Sequence, residues 1–285
     1  MVNKFSFIVR KFKSLVRKIL AKLNVHFILS KYGNEQLEMY EDNTRPQKPK
    51  YINLGAGSFF HPLWHNVDMP QEFYSAFQDN IHIFYDFTSM KPLPFDDNSI
   101  EIAYCSHVVE HLPPDSINHL FKEVNRVMKK NGVFRISTPD ADLFYDAYMN
   151  KDNYFWGPQS PWKTSPKNDS ERFLEFASTL LSPTYKDISE RVISETELQD
   201  LTRALSKEDL LNKLIEMLPS DANRRLAEGH CNWFNYNKIE RLLRDSGFPK
   251  VYKSGYLQSS DPKLREPTKF DGTSPELSLY VECKA

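Results

Sequence analysis

Cysteine is scarce in this chain of 285 residues. Only Cys105, Cys231 and Cys283 are present, an odd number at wide spacing. No disulfide framework or cysteine metal motif is visible, which fits a reducing cytosol. No apolar run is long enough to span a bilayer. Residues 1–29 also lack the uninterrupted apolar centre of a signal peptide. Internal repeats and low-complexity tracts are missing too. Acids are absent from residues 1–34, which hold eight Lys and Arg; Glu35 is the first carboxylate. The net charge of −1 therefore hides a body with 29 basic and 38 acidic residues. An acidic body argues against nucleic acid as a partner.

The basic segment predicts an amphipathic helix over residues 4–25, within an arm of residues 1–45. Phe5, Ile8, Phe12, Leu15, Val16, Ile19 and Leu23 fall on one face, and Lys and Arg fall away from it. Three uses are open: a cap over a ligand site, a helix lying on an anionic membrane surface, or a dock for an acidic partner. The lack of any acid favours the membrane surface, at its inner face in the cytoplasm.

From Tyr51 onward the pattern is α/β. Strands are predicted at Tyr51–Leu54, His65–Val67, Ile81–Tyr85, Ile100–Ser106, Val133–Ser137, Val251–Tyr256 and Leu277–Cys283. An amphipathic helix is predicted at Ser116–Lys129, stopped by Asn131-Gly132. Such alternation means a mostly parallel sheet covered on both faces. Residues 140–234 break the rhythm and read as a mostly helical insertion after the fifth strand, with helices near Glu171–Leu181 and Thr196–Leu218. A last helix at Tyr236–Ser246 ends on Gly247.

YINLGAGSFFHPLWHNVD, Tyr51–Asp68, is the richest stretch. A strand runs into a turn at Gly55-Ala56-Gly57, where glycines allow positive φ and close approach of a ligand. Asp68 ends the next strand, where a carboxylate can accept a ribose hydroxyl. A nicotinamide dehydrogenase would want a third glycine, and Phe59-Phe60 stand there instead. Ser106 and His107 end the fourth strand, the edge at which open α/β sheets bind ligands. His107, Glu110 and His111 share a turn, so His107 first and His111 second are candidate general bases. The bland alternative is that they orient the loop. A metal held by these three is disfavoured, because the HExxH spacing is missing. Asp86 closes the third strand as ligand contact or plain turn residue. His230, Trp233 and Tyr236 follow the insertion and either touch substrate or pack. Trp156 and Trp162 form a lid, a sugar-stacking surface or a local aromatic core.

Taken in order, these segments resemble the class I S-adenosylmethionine-dependent methyltransferases. INLGAGS is similar to their first motif and HNVD to the strand whose acid holds the ribose. YDFTSMKPLPFDDNSIEIAYCSHVVEHL resembles their third and fourth motifs. EVNRVMKKNGVFRISTPD resembles the helix and strand that follow, and NWFNYNKIERLLRDSGF and LSLYVECKA the late helix and last strand. The resemblance implies a Rossmann-like, doubly wound seven-stranded sheet with an antiparallel last strand, in a domain over residues 46–285. It implies S-adenosyl-L-methionine as cofactor, held by Asn53, Gly55, Ala56, Gly57, Asp68, Asp86, Ser106 and His107. The acceptor would be an oxygen or nitrogen of a small molecule, a glycan or a lipid-linked precursor. Two departures stand out. Asn53 replaces the usual first acid, and the run from Ser58 to Asn66 is too short for a crossover helix. They motivate a second reading, a membrane-associated binding module that keeps the fold without turnover.

Overall fold

The computed structural model describes residues 48–70, 75–152, 154–156, 168–222, 226 and 229–285. The predicted basic helix and Trp162 lie outside them. Seven strands form one sheet in the order β3-β2-β1-β4-β5-β7-β6. They are β1 Tyr51–Leu54, β2 His65–Asp68, β3 Ile83–Phe84, β4 Ile100–Ser106, β5 Met128–Pro139, β6 Lys250–Ser254 and β7 Ser278–Lys284. β1 to β5 pair in parallel, and β7 runs antiparallel to both its neighbours. That is the mixed sheet the resemblance implied.

The strands form where apolar or β-branched residues alternate between two buried faces. On one face Ile52, Leu54, Ala103, Cys105, Phe134 and Ile136 meet two helices, α1 (Pro114–Val127) and α6 (Tyr236–Asp245). α1 contributes Ile117, Leu120, Phe121 and Val124, one stripe at helical spacing, and has proline at its first position. α6 contributes Ile239 and Leu243 and ends at Gly247, whose φ of +96° suits glycine.

The other face departs from expectation. It is covered by loops and a short 3₁₀ turn rather than by α-helices: Leu63, Trp64, Leu264 and Phe270 lie on Tyr51, Ile102, Tyr104 and Val133. This accounts for the short run between β1 and β2. Residues 55–64 place large rings on the sheet and need no crossover helix. Arg135, fully buried on this side, holds the covering loop by hydrogen bonds to Asp271, Ser254 Oγ and the Gly255 carbonyl. A buried guanidinium is tolerable only when its donors are met in this way.

Asn131-Gly132 does not terminate α1, which ends at Val127. Both residues lie inside β5, where Asn131 at φ +66° makes a bend. Asn131 N–H donates to Ala285 O, and Ala285 N–H to Gly132 O, so pairing with the chain's end outcompetes a helix cap. Strand β3 is shorter than predicted, since it is an edge strand paired only with β2.

The chain leaves the sheet at Asp140 and returns at Phe234, and these two form a parallel bridge. Between them lie α2 (Ala141–Met149), α3 (Asp169–Ala177), α4 (Glu195–Ala204) and α5 (Lys207–Glu216). The predicted helix Thr196–Leu218 is thus two, broken at Leu205-Ser206. Ser206 caps α5 by accepting from Asp209 N–H, the strong helix-start chemistry that a periodicity argument overlooks. The insertion has its own core, including Phe144, Phe173, Leu198, Leu211, Trp156 and Trp233.

Candidate functional site

Strand β1 has β2 on one side and β4 on the other, so the chain's winding reverses there. Ligands of open α/β sheets bind outside the strand ends at such a point. Three loops meet at this rim. The first is Gly55-Ala56-Gly57, with φ +88° at Gly55 and +44° at Gly57. The two glycines differ in their surroundings. A Cβ on Gly55 would lie 2.3 Å from Val108 Cγ2, so this glycine admits the loop that follows β4. A Cβ on Gly57 would meet nothing within 4 Å, which leaves open space for a ligand.

Asp68 ends β2 directly against this turn. Its Oδ2 accepts from Ala56 N–H at 2.7 Å and its Oδ1 from Met69 N–H at 2.8 Å. Burial raises its pKa, and the backbone donors Ala56, Met69 and Gly57 oppose that rise. A carboxylate offers about four lone-pair positions, so these bonds leave capacity for a ribose hydroxyl. The residues therefore fit an adenosyl ligand: an open glycine turn with a fixed carboxylate beside it.

Asn53 is committed differently. Its Nδ2 donates to Gly55 O at 2.7 Å and to Asn66 Oδ1 at 3.1 Å. Asn66 in turn donates to Phe59 O and Asn80 O. Both amide hydrogens of Asn53 thus hold the β1–β2 rim together. Asp86 accepts from Thr88 N–H and Oγ–H through its Oδ1, the bonding of a turn residue.

At the end of β4, Ser106 Oγ accepts from Ser137 Oγ at 2.8 Å. His107 follows at φ +52°, a strained value for a residue with a Cβ, and its N–H donates to Ser137 O. Its Nε2 lies 2.7 Å from Ser278 Oγ, at the start of β7, and its Nδ1 3.1 Å from Glu110 Oε1. Glu110 and His111 belong to the single turn Val109–His111. Glu110 is 2 % exposed and its Oε2 accepts from Thr138 Oγ–H. Burial pushes its carboxyl up, but the imidazoles of His107, His111 and His230 outweigh burial and hold it at about 2. His111 and His230 meet edge to face with ring centres 5.0 Å apart. Burial, then His111, drive His230 down to about 4.

The structure thus gathers Gly55, Ala56, Gly57, Asp68, Ser106 and His107 at one rim, with His111 and His230 beside it. Trp233 and Trp156 stand apart from that group. Trp233 is buried in the insertion core, donates Nε1–H to Asn212 Oδ1 and lies 4.0 Å beneath Lys238 Nζ. Trp156 packs against Phe155 and Phe176. Tyr236 opens α6 and packs against the main core. Sequence reasoning missed Ser278, Thr138 and Val108. Ser278 comes 171 residues after His107, and no local pattern marks it.

Residues 55–136 match the model of a family described as methyltransferase domain. No curated protein matches the chain. Among solved structures it is similar to an S-adenosylmethionine-dependent methyltransferase from Mesorhizobium loti, at 12% identity, covering 89% of this chain and 97% of that one, TM-score 0.40. A second, from Archaeoglobus fulgidus, is 11% identical over 94% of each chain, TM-score 0.42. A third, from Thermotoga maritima and named a possible histamine N-methyltransferase, is 12% identical over 100% of this chain and 99% of that one, TM-score 0.40. The family match runs from the glycine turn to β5, the part of the sheet that carries Asp68, Ser106 and His107. Residues 55–136 thus match a methyltransferase domain, and they lie within a mixed seven-stranded sheet of Rossmann-like order.

Proposed function

We propose that this enzyme methylates an oxygen or nitrogen of a small molecule, a glycan or a lipid-linked precursor, with the rim described above as its site. The observation that carries the assignment is Asp68, fixed by Ala56 and Met69 amides beside an open Gly57. In this reading Asp68 holds the ribose and Gly55-Ala56-Gly57 passes beneath the rest of the cofactor. Ser106 and His107 line the methionine end, and Asn53 acts only by keeping the turn in place. Asp86 positions the loop after β3. When bound, S-adenosylmethionine supplies a methyl group on a sulfonium, already a strong electrophile. The chain's task is then largely alignment and water exclusion.

His107 is the group we assign to proton removal from the acceptor. Its Nδ1 stands 3.1 Å from the Glu110 carboxylate, whose charge favours the imidazolium that proton removal would form. Its Nε2 lies 2.7 Å from Ser278 Oγ, whose hydroxyl donates to the Thr273 and Ser274 carbonyls, and an acceptor would have to displace this contact. The insertion, with His230 and Tyr236 near its return, selects the acceptor. The arm of residues 1–45 serves as a peripheral contact with an anionic membrane from the cytoplasm. Among the described residues no helix is long and apolar enough to cross a membrane.

Calorimetry with S-adenosylhomocysteine tests the cofactor site. Asp68→Ala removes charge-assisted hydrogen bonds worth about 1.5–3 kcal/mol each, so affinity should fall at least about tenfold. Unchanged affinity in a folded variant would reject the assignment. The competing reading is a binding module without turnover, favoured by the absence of a carboxylate at Asn53. Methyl transfer from labelled cofactor to any acceptor would exclude it. Sedimentation with anionic liposomes tests the arm: the full chain should pellet and a chain starting near Tyr51 should not.

A further inference from the structure

We infer that Glu110, His111 and His230 form a binding site for a divalent transition metal of the zinc type. One ligand atom from each lies within 4.8 Å of the others, and His111 Nε2 is 4.0 Å from Glu110 Oε1. Nitrogen and oxygen ligands held about 2.0–2.1 Å from a tetrahedral ion stand roughly 3.3 Å apart. The three atoms therefore need to close by about 1.5 Å at most, a motion that side-chain torsions supply.

Tautomers support this set. His111 Nδ1 lies 3.1 Å from Gly229 O and His230 Nδ1 lies 2.9 Å from Phe176 O. A carbonyl oxygen only accepts, so each Nδ1 carries the hydrogen and each neutral ring keeps its lone pair on Nε2. Metal-binding histidines are oriented by this kind of outer bond. Glu110 adds an independent observation. Its Oε1 is buried, accepts no hydrogen bond of good geometry and has the His107 imidazole as an ion-pair neighbour at 3.1 Å. A buried carboxylate oxygen without such a bond is costly, and a cation relieves that cost.

The backbone also fixes the triangle before any ion arrives. Cys231 N–H and Asn232 N–H donate to the Glu110 carbonyl. His230 N–H donates to Thr179 Oγ1, and Thr179 N–H to His230 O. Two nitrogens and one carboxylate suit zinc and its neighbours rather than magnesium or calcium, which take oxygen. Three protein ligands leave one position open. The missing HExxH spacing disfavours a metal on His107, Glu110 and His111. The third ligand is instead His230, brought by the segment that returns from the insertion.

The test is titration of the chelator-treated full chain with Co2+, followed by visible absorption, and with Zn2+, followed by elemental mass spectrometry after desalting. One equivalent of each is expected, with the intense d–d bands of a low-coordinate cobalt site. His111→Gln and His230→Gln should each weaken binding at least about 100-fold. His119→Gln, outside the cluster, should leave it unchanged. Thermal melts confirm folding, and the wild-type titration decides alone if a variant does not fold. No uptake by folded wild-type protein overturns the proposal, as does full uptake by both ligand variants. Both readouts are metal binding, so they are independent of methyl transfer.

Discussion

Gly55→Ala offers a direct check on how the glycine turn is built. Two costs are expected. Gly55 sits at φ +88°, where an L residue pays about 1–2 kcal/mol. Its new Cβ would lie 2.3 Å from Val108 Cγ2. Carbon atoms in contact stand about 3.5–4.0 Å apart, so Val108 would have to shift by more than 1 Å. Overpacking of this kind costs about 1–3 kcal/mol. The sum is a loss of roughly 2–5 kcal/mol. Val108→Ala removes Cγ2 and leaves only Val108 Cβ, at an ordinary 3.6 Å. In the double variant the steric cost should vanish and the backbone cost should remain. A double-mutant cycle by urea unfolding, with tryptophan fluorescence as readout, should thus give a favourable coupling of about 1–3 kcal/mol. Gly57→Ala is the control: it has no neighbour within 4 Å and should show no coupling with Val108. It carries a similar backbone cost at φ +44° but adds no steric one. Additivity of Gly55→Ala with Val108→Ala within about 0.5 kcal/mol would refute the packing argument.

Two further predictions concern charges away from the rim. Asp271→Ala leaves Arg135 buried without its main partner, and breaking such a pair costs about 3–5 kcal/mol; a denaturation midpoint that hardly moves would show that the loop carries no such constraint. Lys238 is pushed down to about 7, first by burial and then by Arg241, although the Trp233 ring and Asn232 Oδ1 favour its ammonium. Its folded pKa lies below the unfolded value near 10.4, so the unfolded chain binds more protons between those values and stability rises with pH from about 7 to about 10.4. Lys238→Met should flatten that rise relative to wild type and stabilise the protein at neutral pH by up to about 4 kcal/mol, read from urea midpoints across the range; parallel curves for the two proteins would reject it.

The parts legible in the sequence share a physical property: they are set within a few residues of themselves. Tyr51–Leu54, Ile100–Ser106 and the stripe of α1 follow from periodicity, and Asp68 follows from standing at the end of an apolar strand. Two misreadings have different causes, one distant in sequence and one local. Asn131-Gly132 looked like a helix stop because its pairing with Ala285 lies at the far end of the chain. Thr196–Leu218 looked like one helix because period was weighed without the cap at Ser206. The remaining site chemistry is non-local. Val108 explains Gly55, Ser278 meets His107, and His230 meets His111, yet none of these pairs shares a strand or a helix. Asp140 and Phe234 bridge, so the insertion leaves and returns at the rim it flanks. That return puts a third histidine, after His107 and His111, beside Glu110, and with it a chemistry the motif around His107 did not suggest. On this scaffold the strand ends specify where a ligand goes, and the segments that come back to them specify what is done there.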